Sequence, residues 1–261
     1  MKTLTTSVTL GLPQLDVYTL SEDWALAAAL EQVWILLAHS MGRKPSDWID
    51  AKGDRMYGAV MALETWFDFD DPLREDDEVT IDSDLLSIRK PHAWGEVRFS
   101  TAGKVKGGVR LLTSFIKRRE AGSNKRFSKV RDIWTADDFN GEIVDDLLVK
   151  HHEAKSIACN GKPAMDYEVN RIQDFNTADF LYFKNFVRIS KAAEWRENRA
   201  DPTRLNSHRF CYYFGNVEDG ETMRASVERQ GDDLTTELTD TDGRRLFLSL
   251  ATAPVVTILM R

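Results

Sequence analysis

The sequence predicts an α+β chain built from two tandem layered units, and three observations lead there. An apolar stretch with helix signals spans 21–41, four strand-like segments follow it up to residue 118, and the same order of parts returns after residue 163. One apolar helix enclosed by an antiparallel sheet is a stable two-layer unit, and two in succession make a pseudo-dimer in one chain. The expected bounds are 1–120 for the first unit, 121–162 for a charged connection and 163–261 for the second unit.

In the first helix Ser21 stands at the N-cap position, Glu22 and Asp23 complement the positive end of the dipole, and Gly42 marks the stop. Its middle, WALAAALEQVWILLA, is apolar all round, as in a helix enclosed by other structure. Strands are expected at 56–67, 78–88, 92–103 and 107–118, with Gly103, Gly107 and Gly108 near a turn. In the second half YEVNRI (167–172) reads as a strand and 178–196 as an aromatic-rich helix. Strands at 208–217, 221–230, 233–243 and 244–259 follow, with Asp242-Gly243 as a hairpin turn. The two halves are offset by roughly 155 residues.

With 261 residues and 42% apolar content, the chain can bury a core in one large or two small domains. A net charge of −7 argues against nucleic acid and anionic membranes as partners. Cys159 and Cys211 form neither a metal-ligand spacing nor a disulfide framework, which points to a reducing cytoplasm. The run from Trp24 to Ala38 follows two acids and is too short to span a bilayer, so neither a secretory signal nor a membrane helix is expected. No glycine-rich phosphate loop or ligand cluster suggests a metal or organic cofactor.

Segment 174–186, DFNTADFLYFKNF, resembles the motif D-x-D-x-x-G-x-V-x-x-x-x-Y of hot-dog acyl-CoA thioesterases, which lies at the entry to the central helix. Its second acid, the catalytic carboxylate of that family, is here Asn176; the glycine is Asp179 and the tyrosine Phe186. LPQLDVYTLSEDW (12–24), GDRMYGAV (53–60), DFNTADFLYF (174–183) and YYFGN (212–216) together resemble the LnmK-like family of polyketide biosynthesis. That resemblance implies a double hot-dog fold, with a sheet wrapping a central helix in each of two paired units. It also implies a bifunctional acyltransferase/decarboxylase, which takes a malonyl-type acyl-CoA, releases carbon dioxide and passes the acyl group to an acyl carrier protein through an acyl-O-tyrosine enzyme.

The expected site follows from that chemistry. Decarboxylation develops an enolate on the thioester oxygen, which needs preorganised donors; Asn176, near a helix start, is one, and a cap or Asx turn is its structural alternative. Asp174, a further catalytic candidate, would orient Asn176 or else cap the turn that Asn176 makes. The resemblance makes Tyr57 the nucleophile, with Arg55 two residues away on the same strand face to activate the phenol; the alternative is a half-buried core tyrosine. Ser21, at the mouth of the first helix, is taken as pseudo-equivalent to 174–176, with a plain N-cap as its alternative. The resemblance implies a site between paired units, so Tyr57 and Asn176 form its expected pair. His208 is a candidate to line the site, and both cysteines are expected to be structural.

The run 117–131, KRREAGSNKRFSKVR, carries seven basic residues against one acid. It suits coenzyme A phosphates or an acidic carrier protein, with Arg126 as the contact, or else a solvated loop. The alternatives to the decarboxylating acyltransferase are a hot-dog thioesterase or dehydratase acting on coenzyme A or carrier thioesters, and a non-catalytic module that binds an acyl carrier protein. Coenzyme A enters as substrate, not cofactor, and a homodimer of the chain is compatible with every reading.

Overall fold

Nineteen residues of the first helix, α1 (Glu22–Ser40), are held against an antiparallel sheet with Ala25, Leu26, Ala29, Val33, Leu36 and Leu37 fully buried. The computed structural model describes residues 2–50, 52–130, 139–143, 146–199 and 204–255. These divide into two compact units, 1–121 with 127–150, and 122–126 with 151–261. The stretch 121–162, expected as a separate connection, is shared out between them.

In the first unit the strands are β1 (Thr3–Thr9), β2 (Tyr57–Phe67), β3 (Glu78–Arg89), β4 (His92–Thr101) and β5 (Lys104–Arg118), in sheet order β1-β3-β4-β5-β2. Short strands β6 (Phe127–Lys129) and β7 (Phe139–Asn140) add to β5 and β3. Strand β1 is absent from the sequence expectation: its TLTTSVT is threonine-rich and alternates between exposed and half-buried positions, so its hydrophobic signal is weak. Close approach of α1 to the sheet depends on two glycines. A Cβ on Gly58 would lie 1.5 Å from Trp34 Cη2, and one on Gly95 would lie 2.6 Å from Val33 Cγ2. Trp34, Trp48 and Phe115 fill the far end, with ring centroids 5.1–6.2 Å apart.

After α2 (Leu147–Glu153), the second unit contains β8 (Lys162–Glu168), the single-turn α3 (Arg171–Asp174), α4 (Phe183–Asn198), β9 (His208–Tyr213), β10 (Thr222–Gln230), β11 (Asp233–Thr239) and β12 (Arg245–Thr252). Its sheet order, β8-β10-β11-β12-β9, repeats the first unit's order strand for strand. Several boundaries differ from expectation, and two of the shifts have a local cause. Residues 169–172 leave the strand because the Asn170 side chain accepts from Ile172 N–H at 2.9 Å and starts α3. The long helix begins only at Phe183, because the preceding residues belong to a turn described below. Gly42, by contrast, has φ +64° and ends α1 as its type suggests. Residues 256–259 of the last expected strand lie outside the described residues.

Phe186, Val187, Ile189 and Ala193 bury one side of α4, and Phe186 packs on Tyr213 and Phe247, each at 5.6 Å. Glu194 lies on the same side. Its carboxylate receives both ends of the fully buried Arg209 guanidinium at 2.7 and 2.9 Å. Thr236 Oγ1 and Asn206 Nδ2 donate to it as well, at 3.0 and 2.9 Å, and Arg209 also donates to Ser249 Oγ at 2.7 Å. Burial alone would raise the Glu194 pKa, but the Arg209 charge and these bonds outweigh it and hold the carboxyl below the usual range.

Arg209→Met is expected to cost about 3–5 kcal/mol in urea denaturation, because it strands a buried carboxylate. Arg209→Met with Glu194→Leu should recover most of that loss. A carboxyl whose pKa is lowered on folding adds stability above its unfolded value, near 4.3, and loses it as pH falls through the folded value. Glu194→Gln should therefore flatten the acid limb of the stability–pH curve.

Candidate functional site

The loops that lead into α1 and α4 are built alike. Leu15 and Leu20 form an isolated bridge, as do Phe175 and Leu181. Inside the first loop Asp16 N–H donates to Thr19 O at 2.8 Å; inside the second Asn176 N–H donates to Phe180 O at 2.9 Å. Asp16 Oδ1 accepts from Tyr18 N and Thr19 N at 2.9 and 3.0 Å. Asn176 Oδ1 accepts from Ala178 N and Phe180 N at 3.0 and 3.2 Å. Gln14 O accepts from Ser21 N at 2.8 Å, and Asp174 O accepts from Tyr182 N at 2.9 Å. By hydrogen-bond pattern, Gln14–Asp16 correspond to Asp174–Asn176. The equivalence drawn from Ser21 is therefore one turn too late. Ser21 does occupy the N-cap position of α1, but its hydroxyl makes no capping bond.

Each Asx turn uses one side-chain atom and leaves the other. Two backbone N–H groups aim at one end of the Asn176 amide, which makes that end the oxygen and leaves the NH₂ outward. That NH₂ makes no hydrogen bond among the described residues, and neither does Asp16 Oδ2. The Asx turn and the donor readings of Asn176 are thus compatible. Sequence reasoning missed Asp16, although the D of QLDVYT was the available signal; its match to Asn176 shows only in the hydrogen bonds. Apolar side chains stand open at equivalent positions beside the two loops, Leu12 at 76% exposure and Ile172 at 93%.

Asp174 is fully buried and saturated. Its carboxylate accepts from Arg188 Nη2 at 2.6 Å, Asn170 N at 2.8 Å and the Tyr167 hydroxyl at 3.1 Å, and its carbonyl oxygen accepts from Asn185 Nδ2 at 2.8 Å. These bonds fix the stem of the Asn176 turn and turn the carboxylate inward. Asp179, where the thioesterase motif has glycine, adopts φ +61°, a conformation that glycine takes without steric cost and aspartate tolerates. A two-point ion pair with Arg171 holds its side chain. Phe186, at the motif's tyrosine position, is a core residue.

Tyr57 is half-buried at the start of β2. Its register partner on β5 is Ile116, which brings Arg118 alongside: Arg118 Nη1 donates to the Tyr57 hydroxyl at 3.3 Å, and its Cζ lies 5.1 Å from the ring centroid. Arg55, the expected activator, has its Cζ 6.0 Å from the ring centroid and donates to Ser46 O at 3.1 Å. Arg118 is distant in sequence and close only through strand pairing.

His208 opens β9, whereas Tyr213 at the other end of that strand reaches the α4 mouth, donating from its hydroxyl to Phe183 O at 3.1 Å. Five residues of strand, roughly 17 Å at about 3.3 Å each, separate the two ends. Strand alternation also turns His208 to the opposite sheet face from Arg209, which meets α4. His208 lines a cavity of about 410 Å³ there, away from the mouth that holds Asn176. Within the basic run, Lys117 pairs with Asp50 and Asp54, and Lys125 with Glu221. Asn124 docks the tip of the run onto the second unit's mouth, donating to Asp179 O at 2.7 Å and Val217 O at 3.2 Å. Arg126 follows it and is exposed; Arg131 lies outside the described residues.

Burial pushes the Cys159 thiol up, and Cys211 is fully buried. Among the described residues, no group of three or more His, Cys, Asp or Glu side chains is placed to hold a metal, and no helix is long and apolar enough to cross a membrane.

No family model and no curated protein matches the chain. Solved structures do. An acyl-ACP thioesterase from Bacteroides thetaiotaomicron superposes with a TM-score of 0.72 at 10% identity, covering 97% of this chain and 98% of the other. A 12:0-ACP thioesterase from Umbellularia californica gives 0.75 at 10% identity, covering 97% of each chain. A MaoC-like dehydratase from Phytophthora capsici gives 0.55 at 8% identity, covering 97% of this chain and 95% of the other. The likeness shows the hot-dog fold: antiparallel sheet, few helices, one long helix against the sheet in each unit. At this identity the likeness reaches the fold alone, and it does not extend to the narrower LnmK-like family.

Asp179→Gly should remain within about 1 kcal/mol of the wild type in urea denaturation, since the lost surface ion pair is worth about 0–1 kcal/mol and glycine accepts the backbone freely. Asp179→Val should lose about 2 kcal/mol, because a β-branched side chain is strained at positive φ.

Proposed function

We propose that the chain is an acyl-thioester hydrolase with a double hot-dog architecture, acting on an acyl group carried by coenzyme A or an acyl carrier protein. The observation that carries this reading is the second unit's helix mouth, whose Asx turn leaves the amide NH₂ of Asn176 without a hydrogen bond among the described residues. Thioester hydrolysis requires a base that takes a proton from water, and in the first unit, taken by itself, Asp16 Oδ2 has that chemistry. It also requires a preorganised donor for the oxygen that becomes negative, and the Asn176 NH₂, held by its own turn near a helix N-terminus, is such a donor. Asp174, with Arg188 and Tyr167, positions that turn. The solved structures of like fold named as thioesterases support this class, and the absence of histidine from 11–22 and 174–183 counts against dehydration. Exposed Arg126 suits the phosphates of coenzyme A or an acidic carrier protein.

A second reading rests on the Arg118–Tyr57 hydrogen bond. A phenol held beside a guanidinium suits an acyl acceptor, as a decarboxylating acyltransferase requires.

Release of free thiol from a panel of acyl-CoA and acyl-carrier thioesters tests the first reading. Asp16→Asn and Asn176→Ala should each lower kcat/KM by about 10²-fold or more, with Asn176→Asp failing to restore the rate. Unchanged rates in both variants would remove hydrolysis at these mouths. Intact mass spectrometry after mixing with malonyl-CoA or methylmalonyl-CoA tests the second. A decarboxylated acyl adduct that is absent from Tyr57→Phe would establish it, and thiol release without an adduct would leave hydrolysis.

A further inference from the structure

The roughly 410 Å³ cavity in the second unit has no part in the proposed reaction, and its construction is specific. Its floor is the face of the sheet turned away from α4, where Phe210 of β9 and Leu250 of β12 are register partners. One wall is the segment 157–160, which is firmly tethered. Arg245 donates to the carbonyls of Ala154 and Ile157 at 3.1 and 2.7 Å, and Asn160 N–H donates to Glu228 Oε2 at 2.7 Å. Gly161 lies so close to β10 that a Cβ there would fall 2.3 Å from the Val227 backbone. The volume falls within the range of about 300–1,000 Å³ common for small-molecule sites.

The lining has one sign of charge. Glu228 and Asp233 supply two carboxylates, and among the described residues no lysine or arginine lines the cavity. The Asn160 N–H, and then the Gln230 amide, hold the Glu228 carboxyl below the usual carboxylate range, so it is ionised at neutral pH. Asp233 keeps its position through a bond from Thr252 Oγ1 at 3.0 Å. Beside them the Phe210 ring meets the His208 ring edge to face at 4.7 Å, presenting an aromatic surface next to the acids. Such a lining repels coenzyme A phosphates and free carboxylates. It suits a cation whose apolar part lies on Phe210 and Leu250.

We propose that this cavity is a binding site for a small organic cation, a protonated amine on an apolar body, with Glu228 and Asp233 facing the ammonium group and Phe210 and Leu250 under the apolar part. The proposal stands independently of the reaction assigned to the helix mouths.

Titration calorimetry on the full chain at neutral pH tests it, with phenethylammonium as the probe and 2-phenylethanol and 3-phenylpropionate as neutral and anionic comparators. Phenethylammonium should bind at least about tenfold more tightly than either comparator, which is about 1.4 kcal/mol. Glu228→Gln and Asp233→Asn should each weaken it about fivefold, and Phe210→Ala should weaken all three probes. Unchanged thermal midpoints would show that the acid variants remain folded. Equal affinity for the three probes, no heat from the amine at tens of millimolar, or full affinity in the double acid variant would overturn the proposal.

Discussion

Each unit depends on the burial of one long helix face against its sheet. Helix α1 meets this need with small residues, aliphatic side chains and two glycines in the opposing strands. Helix α4 meets it with aromatic packing and with the Glu194–Arg209 pair, a charge pair that is tolerable in the core because the carboxylate has four hydrogen-bonded contacts and the guanidinium binds in parallel geometry. The pair also sets the rotation of α4 about its axis, since only one orientation brings Glu194 over Arg209.

One side of each long helix is fixed against its sheet, which constrains how its entry loop must turn. That constraint explains why the polar atoms of interest gather in the two entry loops. The chain must turn sharply into each helix, and an Asx residue makes the turn by binding backbone N–H groups with a single oxygen. The remaining atom of that side chain is then fixed in place within the loop that enters the helix. Asp16 and Asn176 use the same turn and present opposite chemistry, an acceptor that carries charge and a neutral donor. In the second loop the network of buried Asp174 with half-buried Arg188 and Tyr167 makes the turn rigid from behind.

The sheet faces turned away from the helices differ more than the faces turned toward them. In the first unit that face carries a ladder in which Arg98 bridges Asp84 and Glu96, and Arg110 bridges Glu96 and Glu64, across β3, β4, β5 and β2. Charges of opposite sign alternate along it, so that each arginine lies between two carboxylates. In the second unit the same face carries His208, Phe210 and Tyr212 along β9, and the tethered segment 157–160 turns part of it into the cavity. One topology therefore gives a charge ladder in one unit and an aromatic, acid-lined pocket in the other.

Periodicity and turn residues in the sequence were enough to determine the α+β class, both long helices, the repeat of a helix followed by strands, and most strands. Those signals are local: apolar runs, alternation, and glycines such as Gly42 and Gly243 that stop an element or turn it. The motif around Asn176 was also legible, because a loop of a few residues carries its own hydrogen bonds. What depended on partners distant in the chain was not. Strand pairing placed Arg118, and not its near neighbour Arg55, against Tyr57. Strand alternation sent His208 to the other face of the sheet. Matching backbone bonds, invisible in side-chain patterns, showed Asp16 and not Ser21 to be the counterpart of Asn176. Side-chain type and short-range spacing reside in the sequence, whereas the neighbours of a side chain across a sheet are decided by register, which only the folded structure specifies.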